Sequence, residues 1–251
     1  LGVYAMNEEG YRNLSKIVTQ SYIDSYQFPT VHWDVLRKHN AGLAILSGCS
    51  DSLLSCTLLG GKSLGDKRDE YTEDNYRAFK RRALRFQDVF EDRFFLEVQR
   101  FPGLPRTCIL NPAYERLSKD TGIPLLATAD IHYPYPEQNE IQKVLHAGRN
   151  KSSVAVTEAE WEYDILLTYP ETDAEIVGDL IGTGLSPEAA EDAVRNTSSL
   201  AANCTVELPK AKPLRFKTKD GQSAKKELQQ QLQDGWRHRV SQRPGLQSRR
   251  A

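Results

Sequence analysis

The chain has 251 residues, 39% of them hydrophobic and 27% charged, with a net charge of −1. That is room for one barrel-sized domain or two small ones of ordinary globular composition. It holds no apolar run near the roughly 18 residues of a membrane helix and no signal-peptide pattern. Its four cysteines (Cys49, Cys56, Cys108, Cys204) form no CxxC pair, a sparse cytosolic pattern rather than a disulfide framework.

The charge is unevenly spread. Residues 208–251 carry 12 Lys+Arg and 3 Asp+Glu, so a basic tail follows an acidic body. Such a tail would meet a phosphate backbone first, or is a solvated end with incidental charge. The sequence opens at Leu1 rather than at a Met, inside an expected element, which suggests a fragment of a longer protein.

In chain order, residues 6–24 predict an amphipathic helix. Asn7 caps it, Glu8 and Glu9 lie in its first turn, and Tyr11, Leu14, Ile17 and Val18 share a face. Residues 30–39 predict a shorter helix, with His32 and His39 as surface or helix-end histidines. Leu43–Leu46 is an unbroken apolar run of buried-strand type that leads straight into Ser47, Gly48 and Cys49. Cys49 is either a metal thiolate or a small hydrophobe. Residues 60–75 are Gly-rich and charged, a surface loop. Tyr76–Phe90 follows as a basic amphipathic helix, with Phe79, Ala83, Phe86 and Phe90 on one side.

Residues 93–100 predict the next strand, interrupted by Glu97. A carboxylate amid Phe95, Leu96 and Val98 needs a partner if it points inward: a metal, a group that supports one, or an arginine. Pro112–Thr121 is the next expected helix. It delivers the chain to Ile123–Ala129, a second run without polar alternation. Asp130 and His132 close that run. On a continuing strand they leave the same face, where a carboxylate and an imidazole can bind a metal or move a proton. The plainer alternative is a turn cap and a local hydrogen bond. Strand, helix, strand, helix, strand, with long connections, implies an α/β arrangement of parallel strands whose sites gather at the strands' C-terminal ends.

Beyond Tyr133 the sequence predicts a helix that places His146 beside Ile141 and Leu145, and a strand at 161–169. Helices at 172–180 and 186–202 and a short extended piece at 204–208 follow. Residues 210–221 read as a linker. Residues 223–239 read as a helix with Leu228, Leu232 and Trp236 as its stripe, and 242–251 as a disordered end.

AMNEEGYRNLSKIV, LAILSGCS, RFQDVFEDRFFLEVQR and GIPLLATADIHY, with a weaker match at KELQQQLQDGWRHR, resemble in order the replicative DNA polymerase III α subunits of bacteria. EVQRFPGLP and EWEYDILLTYPETD are closer in wording to phage-encoded versions. The resemblance implies an N-terminal PHP (polymerase and histidinol phosphatase) domain at 1–208. It implies a linker at 209–222, and the start of the palm with a disordered tail at 223–251. The fold it implies is a distorted parallel (βα) barrel, incomplete at its N-terminus, with a C-terminal helical extension.

By motif, Cys49, Asp130 and His132 match family metal ligands, and Glu97 lies in a matching strand near the metal cleft. The cleft's metals would be zinc or manganese, while magnesium would serve a polymerase site outside this chain. The resemblance further implies primer-template DNA, deoxynucleotides, the remaining polymerase domains and replisome proteins as partners, no membrane, and a cytoplasmic location. The PHP domain would be a metal-dependent 3′→5′ exonuclease or phosphoesterase, or an inactive scaffold. Two departures stand out: no HxH motif occurs, and Phe101 stands where family members often have His. The complete metal site and the polymerase aspartates are therefore expected outside this stretch, which alone should not polymerise DNA. A free-standing PHP-type phosphatase of small phosphate esters is the alternative, and a metal-free interaction domain a third reading.

Overall fold

Four short strands make the sheet around which the chain is built. The computed structural model describes residues 1–25, 27–60, 69–156, 167–170, 172–208, 210, 216–218 and 221–243. Strands β1 (Gly2–Ala5), β2 (Leu43–Leu46), β3 (Phe94–Gln99) and β4 (Leu125–Thr128) lie in the order β1-β2-β3-β4. β2, β3 and β4 are parallel, as the strand–helix–strand order and the unbroken apolar runs of β2 and β4 predict. β1 was not foreseen, and it is antiparallel, pairing Gly2 with Leu46 through to Ala5 with Leu43.

Helices α1 (Glu8–Ile23), α2 (Trp33–Lys38), α3 (Leu53–Leu59), α4 (Glu73–Phe90) and α5 (Pro105–Thr121) occupy the first half of the chain. Residues that alternate along β3 face two layers. Phe94, Leu96 and Val98 enter the main core, where Phe86 of α4 stacks on Phe94 at 5.4 Å. Phe79 of the same helix meets Tyr114 of α5 edge-on at 5.2 Å. Phe95 instead packs against a smaller cluster of Ala44, Leu46, Leu126 and Leu200.

Helices α6 (Asn139–Asn150), α7 (Asp173–Gly182) and α8 (Pro187–Asn203) follow. Ser186 caps α8 and Pro187 opens it, as the sequence signals. α8 lies along β4. Asn196 donates to the Leu125 carbonyl and Thr197 to the Ala127 carbonyl, both at 2.7 Å. Side chains of a helix thus satisfy a strand edge that no further described strand joins. The described residues form an open four-stranded sheet rather than a closed barrel.

Other boundaries differ for local reasons. α4 begins three residues before Tyr76, because Thr72 and Asn75 form a reciprocal capping box. α5 begins at Pro105, which occupies the first helical position, and Pro112 lies inside the helix instead of starting it. α3 was not foreseen. Of the expected strand at 161–169, residues 161–166 lie outside the described residues, and 167–169 have no regular structure. Cys204–Leu208 forms no strand either, although the Thr205 N–H donates to the Met6 carbonyl at 2.9 Å.

The chain divides into two compact units, Leu1–Glu207 and Leu208–Ala251. In the second, helix α9 (Ala224–Gln242) carries Leu228, Leu232 and Trp236, all exposed. Residues 209, 211–215, 219–220 and 244–251, which hold most of the expected linker and end, lie outside the described residues.

Candidate functional site

The C-terminal ends of β2, β3 and β4 converge, as expected of parallel strands. The register sets Glu97 against Leu126 and Gln99 against Thr128. Thr128 Oγ1 donates to Glu97 Oε1 at 2.8 Å. The Glu97 N–H donates to Oγ of Ser47, a fully buried residue just past β2, at 2.8 Å. Glu97 thus finds hydroxyl and backbone partners rather than an arginine. Burial pushes its carboxyl above the usual range; the Thr128 bond opposes this, and the nearby Asp130 carboxylate adds to it.

One strand position on, Gln99 is buried and its amide donates to Asp130 Oδ2 at 3.1 Å. Gln99 is fixed in turn: Asn111 Nδ2 donates to its carbonyl at 2.9 Å and to Thr183 Oγ1 at 2.7 Å. Arg100, also buried, ties the end of β3 to Glu175 of α7 at 3.0 Å.

Asp130 and His132 come together by a different route from the one the sequence suggests. β4 ends at Thr128, and Asp130 takes a left-handed conformation with φ 44°, which aspartate tolerates better than most residues. Strand alternation therefore does not pair them. Instead the chain turns, and His132 Nδ1 lies 2.8 Å from the Asp130 carbonyl and 3.9 Å from Asp130 Oδ1. A neutral ring that donates through Nδ1 keeps its lone pair on Nε2, the form that ligates a metal or accepts a proton. The turn is held from outside by the Leu167 carbonyl, which accepts from the His132 N–H at 2.9 Å. His146, on α6, is a neighbour that sequence spacing could not reveal. Burial first and the charge of His132 second hold its imidazole below the usual range.

Cys49 lines a small cavity with Glu97 and Gln99. Its thiol is exposed on the turn between β2 and α3. Ser55 Oγ donates to the Cys49 carbonyl at 2.9 Å, and Arg106 Nε donates to the Ser50 carbonyl at 2.9 Å. Phe101 is buried.

Between β4 and α8 opens a cavity of about 690 Å³. Glu97, Asp130 and Asp173 line it amid apolar residues such as Leu126, Ile176 and Val194, and no Lys, Arg or His is among the described lining residues. His132 and Cys49 are not part of this lining. Among the described residues no three His, Cys, Asp or Glu side chains lie close enough to hold one ion. A zinc site takes about four ligands. Asp130 and His132 supply two donors of suitable chemistry, but the residues present do not by themselves fit a complete centre. What the arrangement offers is a buried carboxyl held by Thr128, a second carboxylate held by Gln99, both lining an acidic cleft, and an imidazole on the turn beyond. Ser47, Gln99 and Thr128 were missed by sequence reasoning; their strand-end positions were the only available signal.

A family model described as the PHP domain matches residues 1–101. Among curated proteins, the chain is similar to the DNA polymerase III subunit alpha of Helicobacter pylori strain J99. The two are 28% identical over 219 residues, covering 83% of this chain and 16% of the relative. The Caulobacter vibrioides protein of the same name is 29% identical over 251 residues, 96% of this chain and 19% of the relative. That of Treponema pallidum is 31% identical over 216 residues, 84% and 16% respectively. The chain therefore spans less than a fifth of the length of these relatives.

Proposed function

We propose that this chain, which carries a PHP domain and is similar over most of its length to DNA polymerase III α subunits, works as part of a replicative DNA-directed DNA polymerase. One observation carries the reading. The likeness runs over 96% of the chain in one relative, well past the PHP match at residues 1–101. The names and lengths of the relatives do not favour a free-standing phosphatase. In this reading the whole protein extends a primer on template DNA with deoxynucleotides and magnesium held elsewhere, in the cytoplasm and among replisome proteins. Residues 1–208 are the PHP domain, of barrel type when complete. Residues 209–222 are a linker and 223–251 open the palm.

Within that protein the PHP domain acts as a brace for the polymerase region. The partners of its strand-end carboxyls support this: Glu97 is tied to Thr128 and Asp130 to Gln99. A second reading, a 3′→5′ exonuclease, is favoured by the Asp130–His132 pair. If a zinc or manganese ion binds, Asp130 and His132 would help hold it, with Cys49 and Glu97 as further candidates, and the metal would supply Lewis-acid chemistry.

The test uses the full-length protein that contains this chain. Template-dependent nucleotide incorporation is expected, and its absence sinks the polymerase reading. Metal content and 3′→5′ cleavage of primed DNA, measured beside Asp130→Asn, separate the two roles of the PHP domain. Equal background cleavage in both supports the brace. Bound metal, with cleavage lost in the variant, supports the nuclease.

A further inference from the structure

Thr107, in the first turn of α5, is 2% exposed, and its hydroxyl oxygen has no hydrogen-bond partner among the described residues. Burying such a group unpaired is costly, and native structures rarely do it. Thr107 lines a small cavity of about 10 Å³. That is about the volume open to a single water centre.

The cavity is polar. Ser55, Tyr114, Glu97, Gln99 and Asn111 share its lining with Thr107. The order of the hydroxyls can be worked out. Ser55 Oγ spends its proton on the Cys49 carbonyl at 2.9 Å, so the 3.0 Å contact with Tyr114 Oη must use the tyrosine proton. Ser47 and Ser52 also hydrogen-bond the Tyr114 phenol, so the lining is a hydroxyl cluster, and the Thr107 hydroxyl can both donate and accept. A water needs two to four such partners, and this lining supplies them.

We propose that this cavity binds one ordered water molecule, which bonds the Thr107 hydroxyl and joins α5 to the Cys49 turn and the end of β3. The water holds three elements of the candidate site in register: the turn after β2, the Glu97–Gln99 stretch and the start of α5. It does not depend on the polymerase reading.

The experiment is a high-resolution crystal structure of the full chain, with thermal unfolding of Thr107→Val and Thr107→Ser beside wild type. A single density peak about 2.8 Å from Thr107 Oγ1 is expected. Thr107→Val, which keeps the shape and removes the hydroxyl, should lower Tm and speed amide exchange at Cys49 and Ser50. Thr107→Ser should keep the density and the slow exchange. The proposal is overturned if wild type shows no peak, or if Thr107→Val is as stable as wild type. It is equally overturned by a peak with five or more oxygens at about 2.0–2.5 Å, which would be a cation. Should Thr107→Val fail to fold, the wild-type and Thr107→Ser structures still decide the matter.

Discussion

Replacing Gly10 with alanine should destabilise the protein, although the same change is favourable at an open helix position. Gly10 lies in the first turn of α1, where it crosses the loop before β2. A Cβ there would stand 1.9 Å from the Gly42 carbonyl oxygen and 2.6 Å from its carbon. Both are backbone atoms, and Gly42 is itself fixed. Its φ of 69° suits glycine, and its carbonyl accepts from the Met6 N–H at 2.9 Å. Asn13 also donates to the Ala41 carbonyl at 3.0 Å. The clash therefore has to be relieved by moving α1 off the sheet. Overpacking costs about 1–3 kcal/mol and a strained hydrogen bond about 1 kcal/mol, while helix propensity returns about 1 kcal/mol. The net expectation is a loss of about 1–3 kcal/mol, with Tm lowered by roughly 2–12 °C for a chain of this size. At Gly178, within α7, no described residue would lie within 4 Å of an added Cβ beyond the helix's own backbone. Gly178→Ala should gain about 0.5–1 kcal/mol. Urea unfolding of both variants, read as midpoints at constant slope, is the assay. Equal or greater stability for Gly10→Ala would refute the packing of α1 described above.

Three further outcomes follow from the same contacts. Glu115 of α5 accepts from the Ser186 N–H at 3.0 Å and from its hydroxyl at 2.7 Å. Burial pushes its carboxyl up, but the bonds from Lys119 and Ser186 outweigh this and hold it below the usual range. A depressed folded value means stability present above the unfolded value of about 4.3 and lost as pH falls through the folded one. Glu115→Gln should therefore cost about 1–2 kcal/mol at pH 7, with the gap to wild type closing in acid; a gap that persists unchanged at pH 2 would contradict the assignment. Asn196→Ala should cost about 1 kcal/mol and, combined with Thr197→Val, raise concentration-dependent association by baring the β4 edge, as light scattering would report. Gln99→Leu should leave Asp130 unheld, so the Asp130 and His132 amides should exchange faster than in wild type; unchanged exchange would show that Gln99 does not position the turn.

How much of this was legible in the sequence depended on whether the signal was local. β2 and β4 announce themselves as apolar runs, and β3 does so despite Glu97. α1 and α8 carry their caps in sequence, at Asn7 and Ser186. β1 is only four residues long and gains its stability from pairing with β2, forty residues on, so nothing local marks it. α5 was misread because Pro112 looks like a start, whereas the helix forms from Pro105 and carries the second proline inside. At the site, the residue types at Glu97, Asp130 and His132 were legible and their partners were not. Thr128 reaches Glu97, and Gln99 reaches Asp130, across 31 residues of sequence. Only the β3–β4 register brings them together, and the left-handed turn at Asp130 replaced the alternation from which the pairing with His132 was reasoned.

The cover that α8 gives β4 also has a timetable. Asn196 lies 71 residues after the Leu125 carbonyl it protects. During synthesis at about 5–20 residues per second, the strand leaves the ribosome roughly 4–14 s before its covering helix. For that interval β4 presents a bare row of carbonyls and amides on a nascent chain. Holdase chaperones have their opening then, and slowing translation between Thr128 and Pro187 would lengthen it.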